Sequence, residues 1–201
     1  MTITERDSIS EIERRIELGQ FRWRADREDV HMNNEAALID MIGKPAKELH
    51  TARSRNDQVQ TDFRLWCRDA INRIVPSVKH LQGIHISKGP NRCCYKQHYI
   101  LSFVEQLDRD IIRIQHCRAK LNFFPLGACA LAGTDLPIDR FMTSELLGFT
   151  APLRNSIDSV SDRDFVMELL PANSIIAVRL SRLDEDWVWI HCTERLCFNR
   201  E

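Results

Sequence analysis

Glycine and proline are scarce, with seven of each in 201 residues, and only two tyrosines are present. So few turn formers, with little strand-like alternation and several long segments of helical period, exclude a sandwich or barrel and predict an all-α protein. No apolar run is long enough to cross a bilayer, so a membrane is not an expected partner. The net charge is only -1, and the Lys and Arg residues are interleaved with Asp and Glu rather than massed. That leaves no basic field for nucleic acid, which is not an expected partner either. The seven cysteines form an odd set without CxxC spacing, and they read as reduced thiols of an intracellular protein. The opening residues have neither the apolar stretch of a secretory signal nor the Arg- and Ser-rich character of a transit peptide, so no targeting segment is expected in the chain.

The periodicity predicts a series of helices. Ile9, Ile12 and Ile16 share a face that stops at Gly19, a residue that takes a left-handed C′ conformation cheaply. Asp29 can cap a second helix with Leu38, Met41 and Ile42 inward, closed by Gly43 and Pro45. From Asn56 the apolar line Val59, Phe63, Trp66, Ala70, Ile74, Val78 and Leu81 predicts a long bundle helix. Pro76 inside it predicts a kink or an early stop, because a missing N–H and a ring clash cost about 3 kcal/mol. A further helix is expected over 98–121, with Ile100, Val104, Leu107, Ile111, Ile114 and Leu121 buried, packed lengthwise on the previous one. The small-residue stretch 125–133 suits a close backbone approach, and a short helix follows over 137–147. The last long segment, 162–189, is apolar at Phe165, Leu169, Ile176, Leu180, Leu183 and Trp187, with Pro171 interrupting it. Residues 83–96 keep no period and read as a loop.

Chemistry concentrates at Leu49-His-Thr-Ala-Arg-Ser-Arg-Asn-Asp-Gln-Val59. Two guanidinium groups, a hydroxyl, an amide and a carboxylate fall together just before a long helix, whose free N–H groups favour an anion. The pattern suits a carboxylate-bearing substrate, although on composition alone a capped helix start with solvated arginines is the simpler reading of the same residues. His31 is open to two readings, a site residue or a capping, half-buried histidine. Cys93, Cys94 and His98 lack the usual ligand spacing of zinc, so loop thiols are expected there and no metal. Trp187 and Trp189 read as helix packing.

The stretch His50-Thr-Ala-Arg-Ser-Arg-Asn-Asp-Gln-Val59 resembles the first signature of the argininosuccinate lyase family. Asp29-Val-His-Met-Asn-Asn-Glu35, Pro125-Leu-Gly-Ala-Cys-Ala-Leu-Ala-Gly-Thr134, Pro137-Ile-Asp-Arg140, Arg154-Asn-Ser-Ile-Asp158 and Val160-Ser-Asp-Arg-Asp-Phe165 are similar to it too, in order, so the likeness runs from about residue 8 to residue 189. The resemblance implies part of a long-helix bundle of the fumarase/aspartase superfamily. It places residues 1–52 at the end of an N-terminal helical domain and 53–201 at the start of the central bundle. It also implies a homotetramer, or a mixed oligomer with a full-length lyase. The implied activity is cleavage of argininosuccinate to arginine and fumarate by β-elimination, in arginine biosynthesis, with no cofactor and in the cytoplasm or a plastid stroma. By the same carry-over Asn56 hydrogen-bonds substrate, Ser54 and Arg55 sit at its anion pocket, and His31 and Asn34 line that pocket from the side. Asp162, Arg163 and Asp164 fit helix-start contacts better than substrate contacts.

Two family signatures have no counterpart in the chain. A Gly-Tyr-Thr-His-Leu-Gln motif belongs between the two long helices, where Ile86-Ser-Lys-Gly-Pro-Asn-Arg-Cys-Cys-Tyr-Lys96 stands instead, and the likeness resumes near Gln97. The third signature, a loop with a catalytic serine, would follow the last helix. Neither His85 nor His98 stands in the family's Thr-His pair, so no catalytic residue is expected, and the isolated chain is expected to be impaired or inactive. The alternative is a non-catalytic helical oligomerisation partner or a truncated gene product, to which 84–96 and 190–201 would be foreign.

Overall fold

The structure, a computed structural model, describes residues 3–87 and 94–198, with side chains described over 6–86 and 98–189. Among the described residues, eight helices and two very short strands follow one another: α1 (Ile3–Glu17), α2 (Val30–Ile42), α3 (Lys44–Glu48), α4 (Arg55–Ser87), α5 (Cys94–Leu121), β1 (Phe123–Phe124), α6 (Arg140–Leu146), β2 (Ala151–Pro152), α7 (Ser156–Ser161) and α8 (Asp164–Phe198). The strands pair in parallel, Phe123 with Ala151 and Phe124 with Pro152. The all-α expectation stands.

The long helices α4, α5 and α8 form the body, with α5 packed along both of the others. Their main core joins Cys67 and Ile71 of α4, Ile114, Cys117 and Leu121 of α5, and Phe165, Leu169, Ala172 and Ile176 of α8. Farther along, Val78 meets Leu107 and Ile111. Each Val, Leu, Ile or Phe side chain so removed from water favours the fold by roughly 1.5–3 kcal/mol. A smaller layer, α1 to α3, has its own core of Ile12, Leu38 and Ala46. The side-chain oxygen of Asp29 caps α2 by accepting from the Met32 N–H at 2.7 Å, and Gly43 closes it at φ 73°, where a side chain would be strained.

Several expectations change. Helix α4 runs through Pro76 and α8 through Pro171, so neither proline stops its helix. Both are exposed, their rings point to solvent, and the packing of α4, α5 and α8 outweighs one lost intrahelical bond. The stretch 83–96, read as an aperiodic loop, is helical where it is described, because α4 extends to Ser87 and α5 begins at Cys94. Residues 88–93, and with them the Cys93 thiol, lie outside the described residues. Pro45 opens α3 in its first turn rather than closing α2, which suits a residue with no N–H to donate. Met41 is exposed rather than inward. The apolar line of α4 is rotated from the buried one: Val59 is 40% and Trp66 60% exposed, while Asp57, Gln60, Thr61 and Arg64 are buried.

Those buried polar residues hold the segment between α5 and α8. Gln60 Nε2 donates to the Asp162 carbonyl at 2.6 Å, and Arg64 Nη1 to the Leu121 carbonyl at 3.1 Å. The Arg64 guanidinium also lies 4.3 Å over the Phe165 ring, and burial lowers its pKa. Arg68 donates to the Leu147 and Gly148 carbonyls at 2.7 and 2.8 Å. A segment with so little secondary structure has many backbone acceptors to satisfy, and α4 supplies the donors.

Candidate active site

The first signature turns from α3 into α4. Before Arg53, Ala52 takes φ 56°, a left-handed conformation that costs a residue with a Cβ roughly 1–2 kcal/mol. Its carbonyl accepts from the Cys129 thiol at 3.0 Å. Just beyond, the Asp57 carboxylate is wholly buried and takes three backbone N–H groups, Ser54 at 2.8 Å and Gly127 and Cys129 at 2.9 Å each. This is the close approach expected of the small-residue stretch. Gly127 has φ 89°, and a Cβ there would lie 3.0 Å from the Arg140 side chain, so the turn needs glycine.

Where the α1–α3 layer meets the start of α4, an open cleft of about 630 Å³ is lined by His31, Asn34, Glu35, His50, Arg53, Arg55, Gln58 and Asp62, over an apolar floor that includes Ile12 and Leu38. Of the five residues singled out from the sequence, His31, Asn34 and Arg55 line it together. Ser54 and Asn56 sit at the adjoining turn and do not line it: the Ser54 hydroxyl accepts from the Asn56 N–H at 3.3 Å, and the Asn56 side chain is exposed.

The cleft wall is a run of paired charges. Arg55 donates to Glu35 Oε2 at 3.1 Å and to Gln58 Oε1 at 3.1 Å, and its Nε lies 3.5 Å from Asp29 Oδ2. His50 Nδ1 is 3.8 Å from Glu35, and His31 Nδ1 is 3.3 Å from Asp62. His31 therefore takes part in the cleft wall rather than capping α2, a role that Asp29 fills. Desolvation raises the pKa of Asp62 above the usual carboxylate value, against the pull of His31 and Arg53. Asn34 Oδ1, beside these pairs, is buried and accepts no hydrogen bond among the described residues, although a buried acceptor ordinarily finds a donor.

Sequence reasoning passed over Glu35, His50, Gln58 and Asp62 as site residues. His50 and Gln58 stand inside the stretch where chemistry concentrates and Glu35 lies one turn beyond His31 on the same helix face, whereas nothing in the sequence marks Asp62. Asp162, Arg163 and Asp164 stay at the start of α8 as expected, with Asp162 Oδ1 accepting from the Arg163 and Asp164 N–H groups. No group of His, Cys, Asp and Glu among the described residues is arranged to hold a metal ion, and no described helix is long and apolar enough to cross a membrane.

The sequence profile of the family described as Lyase matches residues 6–88 and 97–201. Residues 89–96 thus fall outside the likeness, but 84–88 and 190–201 belong to it, which corrects the reading of 84–96 and 190–201 as wholly foreign. Over 94% of its length the chain is 56% identical to the chloroplastic argininosuccinate lyase of Arabidopsis thaliana, and over 94% it is 47% identical to argininosuccinate lyase 2 of Pseudomonas fluorescens (strain Pf0-1). It spans 40% and 45% of the length of those relatives. The fold is similar to that of EDDS lyase in complex with formate, with a TM-score of 0.76 at 30% identity over 94% of this chain and 41% of that one. An EDDS lyase variant with bound fumarate matches equally well.

Proposed function

The chain belongs to the lyase family, and from that premise we propose that it serves the β-elimination that splits argininosuccinate into arginine and fumarate, by gripping the substrate at the cleft between α2 and α4. In that reaction a base removes a proton beside a carboxylate, negative charge gathers on that carboxylate, and the C–N bond breaks as the guanidinium group leaves. Cations fixed where the charge develops lower the barrier.

The observation that carries this reading is the pairing, in one cleft, of guanidinium groups with the buried and unsatisfied Asn34 Oδ1. A ligand with both carboxylates and N–H donors meets both needs, and argininosuccinate has both. In this reading His31 and Asn34 contact the substrate from α2, Ser54 and Asn56 reach it from the turn, and Arg55 belongs to the wall. The two argininosuccinate lyases named above support the choice of substrate. Residues 1–52 serve as the end of an N-terminal helical domain and 53–201 as the start of the central bundle. The working unit is an oligomer, in the cytoplasm or a plastid stroma. Proton transfer comes from outside this cleft, since residues 83–96 hold no Thr-His pair.

Argininosuccinate cleavage, followed as fumarate absorbance, tests the reading. The purified chain alone is expected to be silent. Co-expressed with a full-length lyase whose first-signature asparagine is disabled, it is expected to restore activity by supplying Asn56 and its neighbours. Silence of the mixture, with both chains soluble and associated, would overturn the proposal, whereas activity of the chain alone would overturn the outside source of proton transfer.

A further inference from the structure

We infer that Arg53, not Arg55, is the guanidinium that meets a carboxylate of the substrate, while Arg55 is the strut that ties α2 to α4. The inference rests on the reading that this cleft receives argininosuccinate. Arg55 has no charge to spare. Two carboxylates flank it, Glu35 at 3.1 Å and Asp29 at 3.5 Å, and Gln58 takes a third side at 3.1 Å. Its side chain is only 22% exposed. A ligand carboxylate arriving there would have to displace one of these partners and then face the other acid across a half-buried site, where like charges repel more strongly than in water.

Arg53 is its opposite. It is exposed and makes no ion pair within 4.0 Å among the described residues. Its charge acts on Asp62, whose carboxyl it draws down against the desolvation that raises it. It lines the cleft described above and also a second recess of about 100 Å³ formed with Ala52, Phe124, Gly127 and Arg140. A side chain shared between the two can swing over a ligand held in the first.

Its backbone is fixed while its side chain is free. The Arg53 N–H donates to the His50 carbonyl at 3.2 Å, and the preceding carbonyl, that of Ala52, is held by the Cys129 thiol. Such a stem presents a planar, permanently charged fork to a carboxylate with little ordering of the chain left to do.

Calorimetric titration of the whole chain with argininosuccinate tests this, with thermal unfolding recorded for each variant. Arg53→Gln is expected to lower affinity about tenfold or more at an unchanged Tm, as loss of a charge-assisted hydrogen bond does, and Arg53→Lys to recover part of it. Arg55→Gln is expected to lower the Tm, since two carboxylates lose their partner, and to cost the folded protein less affinity than Arg53→Gln does. Wild-type affinity in Arg53→Gln would overturn the inference and leave the substrate reading standing. Loss of binding in Arg55→Gln at an unchanged Tm would also overturn it. No heat of binding in the wild type would remove the substrate reading, and this inference with it.

Discussion

At the scale of single residues, Asp57 shows how a motif can be located correctly and understood only in part. The sequence marks it as one of several polar groups before a helix, available to substrate. Its burial and its three backbone donors make it the clamp between the signature and the 125–133 stretch. Residues 70 positions apart carry no mark of their pairing, although the small side chains of 125–133 did announce that some backbone would come close. Asp57→Ala would leave three inward N–H groups without an acceptor, each of which costs about 1–3 kcal/mol. A loss of about 3 kcal/mol or more is therefore expected, read as a fall in the urea midpoint. Ala52 offers the opposite test. Its φ of 56° is strained for alanine and free for glycine, so Ala52→Gly is expected to stabilise the chain by about 1 kcal/mol in the same assay, less the extra backbone entropy of the unfolded state.

At the scale of the helices, period and caps were legible where one physical rule acts alone. Asp29 capping α2, Gly19 at φ 66° after α1 and most of the buried line of α5, Leu107, Ile111, Ile114 and Leu121, stand as the sequence implies, while Ile100 and Val104 of that line are only half-buried. The rule fails on α4 because two demands share one helix. Its first turns face a segment of unpaired carbonyls and so bury Gln60 and Arg64, and only from Cys67 onward does the core take apolar residues. A period count weighs hydrophobicity and cannot see a carbonyl waiting across a gap. The prolines fail for a related reason, since helix propensity is a local cost and packing a collective gain. Pro76 is exposed and its neighbours Ile74 and Val75 pack on the core, so Pro76→Ala removes no contact and restores one intrahelical bond. It is expected to raise stability by about 1 kcal/mol or more, with helical circular dichroism unchanged. A lower urea midpoint would show that the ring fits a bend the bundle requires.

At the scale of the whole molecule, the three long helices leave apolar surface that their own packing does not use. On α8, Met167, Leu170 and Val178 are 74%, 60% and 60% exposed, and at 100° per residue all three fall on one face. Trp66 and Val59 add a similar strip to α4. Isolated apolar side chains on a surface need no explanation, but a stripe several turns long resembles half of a helix–helix interface. A second copy of the chain presents the same stripe, which a two-fold arrangement can place against the first. The chain is therefore expected to sediment as a multimer at tens of micromolar. Met167→Lys with Val178→Lys is expected to shift it to monomer without loss of helix, because both side chains are exposed within the single chain and meet a desolvation cost only in the interface. If the wild type sediments as a monomer, the stripe is not a self-association surface, and rescue by a full-length lyase would then have to come through contacts elsewhere on the bundle.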